Sequence, residues 1–219
     1  MTYIEFVTDK IKEYDAGVPI YTNKIAELLK EHFCLGNKEA SMATAVAIKR
    51  IMTNNVVPLL RLYQKGIYYK TEKTLFGELG INKEMLIRDK YLDSNKGYET
   101  GLSLLHKMGL TTQMPKQRTF ATNVAKECAR LDKNLNVIVK PPKIEVTAEN
   151  KKYLQTLDVL DTIGKAPIDA SEPYVIIATY IDKNQLHYDK LLALANDYYN
   201  KNTILELAKT ASYKINIKL

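Results

Sequence analysis

Three histidines, two cysteines and one close pair of aspartates are the residues of this 219-residue chain best suited to catalysis or metal binding. Their spacing argues against both. His32, His106 and His187 stand apart from one another, and none belongs to a His-Glu-x-x-His pattern. The chain has no Cys-x-x-Cys and no glycine-rich phosphate loop, the short motifs that carry such chemistry. Cys34 and Cys128 are too few and too distant to suggest a zinc site or a disulfide framework. Asp158 and Asp161 fall at i,i+3 on one predicted helix face, with Lys165 a turn further on. That spacing suits a metal, but it equally describes a solvated acidic face, which is the favoured reading. Glu145 is treated the same way as a nuclease carboxylate. The expectation is a protein that is not an enzyme and needs no cofactor and no metal.

The positive charge is the more informative signal. Net charge is +7, and residues 38–70 hold six basic side chains (Lys38, Lys49, Arg50, Arg61, Lys65 and Lys70) against a single acid, Glu39. A local excess of this kind suits a phosphate-facing surface. The N-terminus lacks the basic and apolar regions of a signal peptide, and no run approaches the ~18 apolar residues that a membrane span needs. A cytoplasmic location and no membrane partner are expected.

The elements around those cations follow from periodicity. Ile4, Val7, Ile11 and Tyr14 make a helical stripe over Tyr3–Tyr14, broken by Asp15 to Pro19. Thr22 is a candidate N-cap for a second helix with Ile25, Leu28, Leu29 and Phe33 on one side. A third helix is predicted over about 38–53. Centring its buried face on Ile48 places Ser41, Thr44, Ala45, Ile51 and Met52 beside it, and turns Glu39, Ala43, Val46, Arg50 and Thr53 outward, flanked by Met42 and Lys49. Arg50 is then placed to read a guanine edge, and Ala43 and Val46 to touch thymine methyls. Lys49, Lys38, Arg61, Lys65 and Lys70 would hold phosphates. Alternation on either side of Lys65-Gly66 predicts a hairpin, with Tyr69 packing its base and Tyr68 left open. Three helices and then a hairpin is the order of a winged helix-turn-helix.

A domain boundary is placed at 75/76. Beyond it, helices are predicted over Lys83–Leu92 and Tyr98–Met108, the second closed by Gly109. Strands are predicted over 118–122, 136–140 and 143–147. Mainly helical patterns follow, broken near Gly164–Pro173 and Asn184, with a last strand at Tyr213–Ile217. The fold class is α+β: an N-terminal winged helix-turn-helix (1–75), then a mixed α/β effector domain with a small sheet and C-terminal helices (76–219).

Two stretches also resemble a known family. "AIKRIMTNNVVPLLRLYQKGIYYK" looks like the helix and wing of AbiEi-type antitoxins. "GYETGLSLLHKMGLTTQMPKQRTFAT" is similar to the segment that follows in that family, with its motif at Gly97, Tyr98, Gly109, Thr112, Gln113 and Pro115. "FGELGINKEMLIRDKYL" resembles the connecting region, so the likeness covers about residues 38–122. It implies the antitoxin of a type IV toxin–antitoxin pair linked to abortive phage infection. Such a protein represses its own operon by binding double-stranded operator DNA, and antagonises a nucleotidyltransferase-like toxin without a stable complex. The resemblance puts the DNA role on Arg50, Arg61, Lys65 and Lys70. From the residues alone, Gly109 ends a helix, Leu110 packs, and Thr112 and Gln113 satisfy loop backbone groups. A winged-helix regulator whose second domain senses a ligand or partner is the alternative reading.

Overall fold

Residues 1–217 are described by the computed structural model, and its first element opens on a reciprocal cap. The Thr2 hydroxyl accepts from the Glu5 amide at 3.3 Å, while Glu5 Oε2 accepts from the Thr2 amide at 2.7 Å. This capping box starts α1 (Tyr3–Lys12), which buries Phe6, Val7 and Ile11. Strand β1 is only Ile20–Tyr21 and runs directly into α2 (Thr22–Phe33). Tyr21, not Thr22, occupies the N-cap position of α2. The Thr22 hydroxyl instead donates to the Gly66 carbonyl at 3.1 Å, and its amide donates to the same oxygen at 3.0 Å. The expected cap is a tie to the hairpin turn.

Helix α3 (Asn37–Thr53) packs against both α1 and α2. Strands β2 (Leu60–Gln64) and β3 (Ile67–Lys70) form the hairpin around Lys65-Gly66. Strand β1 adds to its other edge, pairing Ile20 with Tyr68 and Tyr21 with Ile67, to give the order β1-β3-β2. Gly66 has φ +82°, the left-handed conformation such a tight turn demands. A second, smaller hairpin follows, β4 (Lys73–Thr74) with β5 (Gly77–Glu78). It is held to the first by an Arg61–Glu78 ion pair at 3.1 Å. The Asn82 amide then donates to the Gly17 carbonyl at 2.8 Å. The chain divides into two units, Met1–Leu86 and Ile87–Leu219. The position expected for the boundary, 75/76, is the tip of the β4–β5 turn.

The division falls within α4 (Lys83–Ile87), which continues as a single π-helical turn over Arg88–Leu92. The second unit is built on a four-stranded sheet, β6 (Gly97–Thr100), β7 (Arg118–Thr122), β9 (Val137–Lys140) and β8 (Arg130–Asp132), in that spatial order. Only β7 and β9 run parallel. The predicted helix over Tyr98–Met108 is therefore shorter than expected. Gly97–Thr100 is strand, and α5 covers only Leu102–Lys107. Helices α6 (Lys151–Ile163), α7 (Pro173–Lys183), α8 (Tyr188–Tyr198) and α9 (Lys201–Ile217) complete the unit around a core that includes Leu105, Leu157, Ile177 and Leu191.

Two strand assignments do not hold. Residues 143–147 carry no ladder; the Asn123 side chain stands in for a neighbouring strand, accepting from the Val146 amide at 2.8 Å and donating to its carbonyl at 3.0 Å. Tyr213–Ile217 is helical, the last part of α9.

Asp132 at the end of β8 is the most perturbed carboxyl in the sheet. Burial raises it, but hydrogen bonds from Lys90 Nζ (2.7 Å), Tyr91 OH (2.6 Å) and the Leu135 amide (3.2 Å) outweigh that and hold it at about 2. A depressed folded-state value stabilises the protein above the unfolded value near 4, and that contribution is lost as pH falls towards 2. Asp132→Asn is expected to remove about 1–2 kcal/mol at pH 7. It should also flatten stability between pH 4 and 2, read as urea midpoints at the two ends.

Candidate nucleic-acid interface

Helix α3 buries Ala40, Thr44, Ala47, Ile48 and Ile51. At 100° per residue the centre of that face lies about 55° from Ile48, towards Ala47. The reason is packing. Two helices flank α3, so the small residues Ala40, Thr44 and Ala47, which permit close approach, become the middle of the contact. Ser41, Ala45 and Met52, expected beside Ile48, are exposed. The outward face is rotated accordingly and is centred on Met42, Lys49 and Thr53, with Lys38, Ala45 and Val46 beside them. Arg50 lies towards its edge, on the side of α1. Val46 and Met42 are 50% and 61% exposed. Lys38, Lys49 and Arg50 are exposed and enter no ion pair among the described residues.

The hairpin cations divide into two kinds. Lys65 is exposed at the turn. Arg61 and Lys70 are engaged within the unit: Arg61 with Glu78, and Lys70 Nζ with the Lys12 carbonyl at 2.8 Å, at the C-terminal end of α1. A cation there satisfies a carbonyl that the helix leaves unpaired. Both side chains brace the sheet as they stand. Tyr68 packs partly against the core of the unit, and Tyr69 is half-buried.

The second motif has a structural explanation residue by residue. Gly97 opens β6 beneath the backbone of β7, where a Cβ would sit 2.3 Å from the Ala121 carbonyl oxygen. Gly109 has φ +75°, and the Leu110 amide donates to the Leu105 carbonyl (2.9 Å) while the Gly109 amide donates to His106 (3.0 Å). That pair of bonds is a Schellman cap, and Leu110 is fully buried, as expected. Thr112 differs. Its amide reaches both oxygens of Asp169 at 3.0 Å, and its hydroxyl donates to the same carboxylate. It is Thr111 that serves the loop, its hydroxyl accepting from the Gln113 amide at 3.2 Å. Gln113 is exposed and Pro115 half-buried.

Tyr98 belongs to a buried polar cluster that its sequence position does not reveal. Asp158, expected on a solvated face, is 4% exposed. It accepts from Thr100 Oγ1 (2.7 Å) and Tyr199 OH (2.9 Å) and pairs with Lys140 Nζ at 3.1 Å. Burial and the charge of Asp158 push the Tyr98 and Tyr199 phenols far above their ordinary range, so both remain protonated. The Tyr98 hydroxyl has no hydrogen-bond partner among the described residues. Asp161 faces elsewhere, accepting from Asn200 Nδ2 at 2.6 Å and lying 3.6 Å from Lys165. The two aspartates do not converge, and no group of three metal-ligating side chains occurs among the described residues.

Nearby, burial pushes the Glu99 carboxyl up, but Arg118, bidentate at 2.9 and 3.2 Å, and Lys107 more than compensate and hold it below the usual range. These ion pairs tie Glu99 on β6 to Arg118 on β7 and to Lys107 at the end of α5, and no short motif announces them. No protein-family model matches the chain, and a search of curated proteins finds no match. Two of the histidine rings have local contacts, and the third histidine is tied through its backbone. His32 stacks on Phe6 at 4.6 Å, His106 Nδ1 lies 3.1 Å from the Thr111 carbonyl oxygen, and the His187 amide donates to Tyr153 OH at 3.3 Å. Among the described residues, no helix is long and apolar enough to cross a membrane.

Proposed function

We propose that this chain is a DNA-binding regulator whose first unit is a winged helix, with α3 as the reading helix and the β2–β3 hairpin as the wing. The order α1-β1-α2-α3-β2-β3, with β1 closing the sheet against β3, is the observation that carries the reading. Such an arrangement presents the outer face of α3 to a major groove and the hairpin turn to the adjacent backbone. Lys38, Lys49, Arg50 and Lys65 are the cations available to phosphates or base edges. Ala45 and Val46 offer apolar contact to thymine methyls, and the small residues near them leave room for a groove floor. Arg61 and Lys70 support this surface and would contact DNA only by giving up their present partners.

The finer reading is that of an AbiEi-type antitoxin, which represses its own operon and opposes a nucleotidyltransferase-like toxin in the cytoplasm. It rests on the resemblance at residues 47–70 and 97–122. Growth rescue on co-expression with the neighbouring gene product tests it. Rescue by unrelated proteins as effective as this one would remove it.

Binding to the promoter fragment of its own gene, followed by fluorescence anisotropy, tests the DNA reading. Four phosphate contacts predict an affinity loss of about 100-fold between 50 and 200 mM salt. Lys49→Ala with Arg50→Ala is expected to weaken binding by at least ~10-fold and to reduce the salt slope by about 2, with an unchanged melting temperature. Wild-type affinity in the double variant would refute the assignment of α3.

A further inference from the structure

Arg61 on β2 reaches Glu78 on β5, so the second hairpin sets a carboxylate against a cation of the proposed wing. The contact is loose. One guanidinium nitrogen lies 3.1 Å from one Glu78 oxygen, and the two side chains keep 41% and 48% exposure. The other terminal nitrogen lies 3.4 Å from the Leu60 carbonyl oxygen. A guanidinium carries five N–H donors in a planar fork that matches the oxygens of a phosphate, so this pairing uses only part of what Arg61 offers. Exposed pairs of this kind are weak. Lys70 is the contrast, because its ammonium satisfies a carbonyl at the C-terminal end of α1, a backbone group that its departure would orphan.

Glu78 also has a second cation at hand. Lys73 stands directly opposite it in the β4–β5 ladder, where facing side chains share one side of the hairpin. Lys73 is exposed and enters no ion pair among the described residues. The carboxylate can therefore lose Arg61 without being left beside no positive charge. We propose that Glu78 is a stand-in for a DNA phosphate: it holds Arg61 in the free protein, and on binding Arg61 exchanges it for a phosphate of the duplex backbone. The inference rests on the DNA reading and deepens it, adding a contact on the wing strand to those of α3 and Lys65. The strength of the surrendered pair is subtracted from the affinity, so the grip of the wing is set by the difference between two anions.

A double-mutant cycle on the full chain, read by fluorescence anisotropy with the promoter fragment, tests the exchange. Glu78→Gln is expected to bind about 2- to 5-fold more tightly than wild type, the strength of an exposed pair. Its salt slope should be unchanged, because the number of phosphates held is the same. Arg61→Gln should weaken binding and reduce the salt slope by about 1. In the Arg61→Gln background, Glu78→Gln should have no effect, since no pair is left to surrender. Circular dichroism melts check that all three variants are folded. A Glu78→Gln gain that persists undiminished without Arg61 would mean plain repulsion between the carboxylate and DNA, and would overturn the exchange. So would a Glu78→Gln protein with wild-type affinity, or an Arg61→Gln protein with the wild-type salt slope. If neither the wild type nor any folded variant binds the promoter, the DNA reading itself falls, which separates the two failures.

Discussion

Gly97→Ala is expected to destabilise the second unit by about 3 kcal/mol or more, the upper range for overpacking a tight site. The added Cβ would lie 2.3 Å from the Ala121 carbonyl oxygen, 2.6 Å from the Tyr91 carbonyl oxygen and 2.8 Å from Thr122 Cα. All three neighbours are backbone, so no side chain can swing aside, and relief requires prising β6 from β7. Gly109 provides the contrast. It stands in open space but at φ +75°, so Gly109→Ala should cost only about 1 kcal/mol, the penalty of a left-handed alanine. Equilibrium urea unfolding of the two variants measures the difference. A Gly97→Ala protein within 1 kcal/mol of wild type would show that the strands are not held as tightly as their spacing indicates.

Lys140→Met is expected to cost about 2–3 kcal/mol. Removing one member of a buried ion pair leaves the other uncompensated, which costs ~3–5 kcal/mol in a fully buried setting. The figure is reduced here because Lys140 retains 36% side-chain exposure, although Asp158 has only 4%. Adding Asp158→Asn should restore most of the loss, since the amide needs no counter-charge: Thr100 and Tyr199 donate to different carboxylate oxygens, and the amide keeps one as an acceptor while its NH2 can donate to the other hydroxyl. Tyr98→Phe should be close to neutral, because the hydroxyl it deletes makes no bond to lose. Urea midpoints at pH 7 for the three variants test this ordering. A double variant no more stable than Lys140→Met alone would mean that geometry, not charge, holds the cluster together.

What could be read from the sequence was local. The hairpin at Lys65-Gly66, the cap at Gly109 and the helices α1 and α2 each depend on neighbours within a few residues, and all are present, although Leu28, expected in the apolar stripe of α2, is exposed and Ala26 is buried in its place. The face of α3 was misplaced because its orientation is decided by two other helices, and centring on the largest apolar residue, Ile48, cannot register both. Asp158 illustrates the same limit more sharply. A carboxylate between polar helix neighbours reads as solvated until Thr100, Lys140 and Tyr199, from three other parts of the chain, close around it. Tyr98 to Thr100 reads as the start of a helix by its surroundings, and becomes strand only because β7 lies alongside. Charge patterning does not distinguish Lys65, open at a turn, from Arg61 and Lys70, which are held by Glu78 and a helix carbonyl.

The pairing of β1 with β3 has a consequence for biosynthesis. Ile20 and Tyr21 find their strand partners only at Ile67 and Tyr68, and Gly17 bonds to Lys70 and to Asn82. A nascent chain emerging from the ribosome thus exposes three amphipathic helices well before the segment that closes their sheet arrives. Ile20, which ends fully buried, has no ladder to join until then, and closing such a long loop must precede any return from the contacts it makes. Chains released before Lys70 should be proteolysed readily, while those extended past Asn82 should resist, so the first unit is completed late in its own translation.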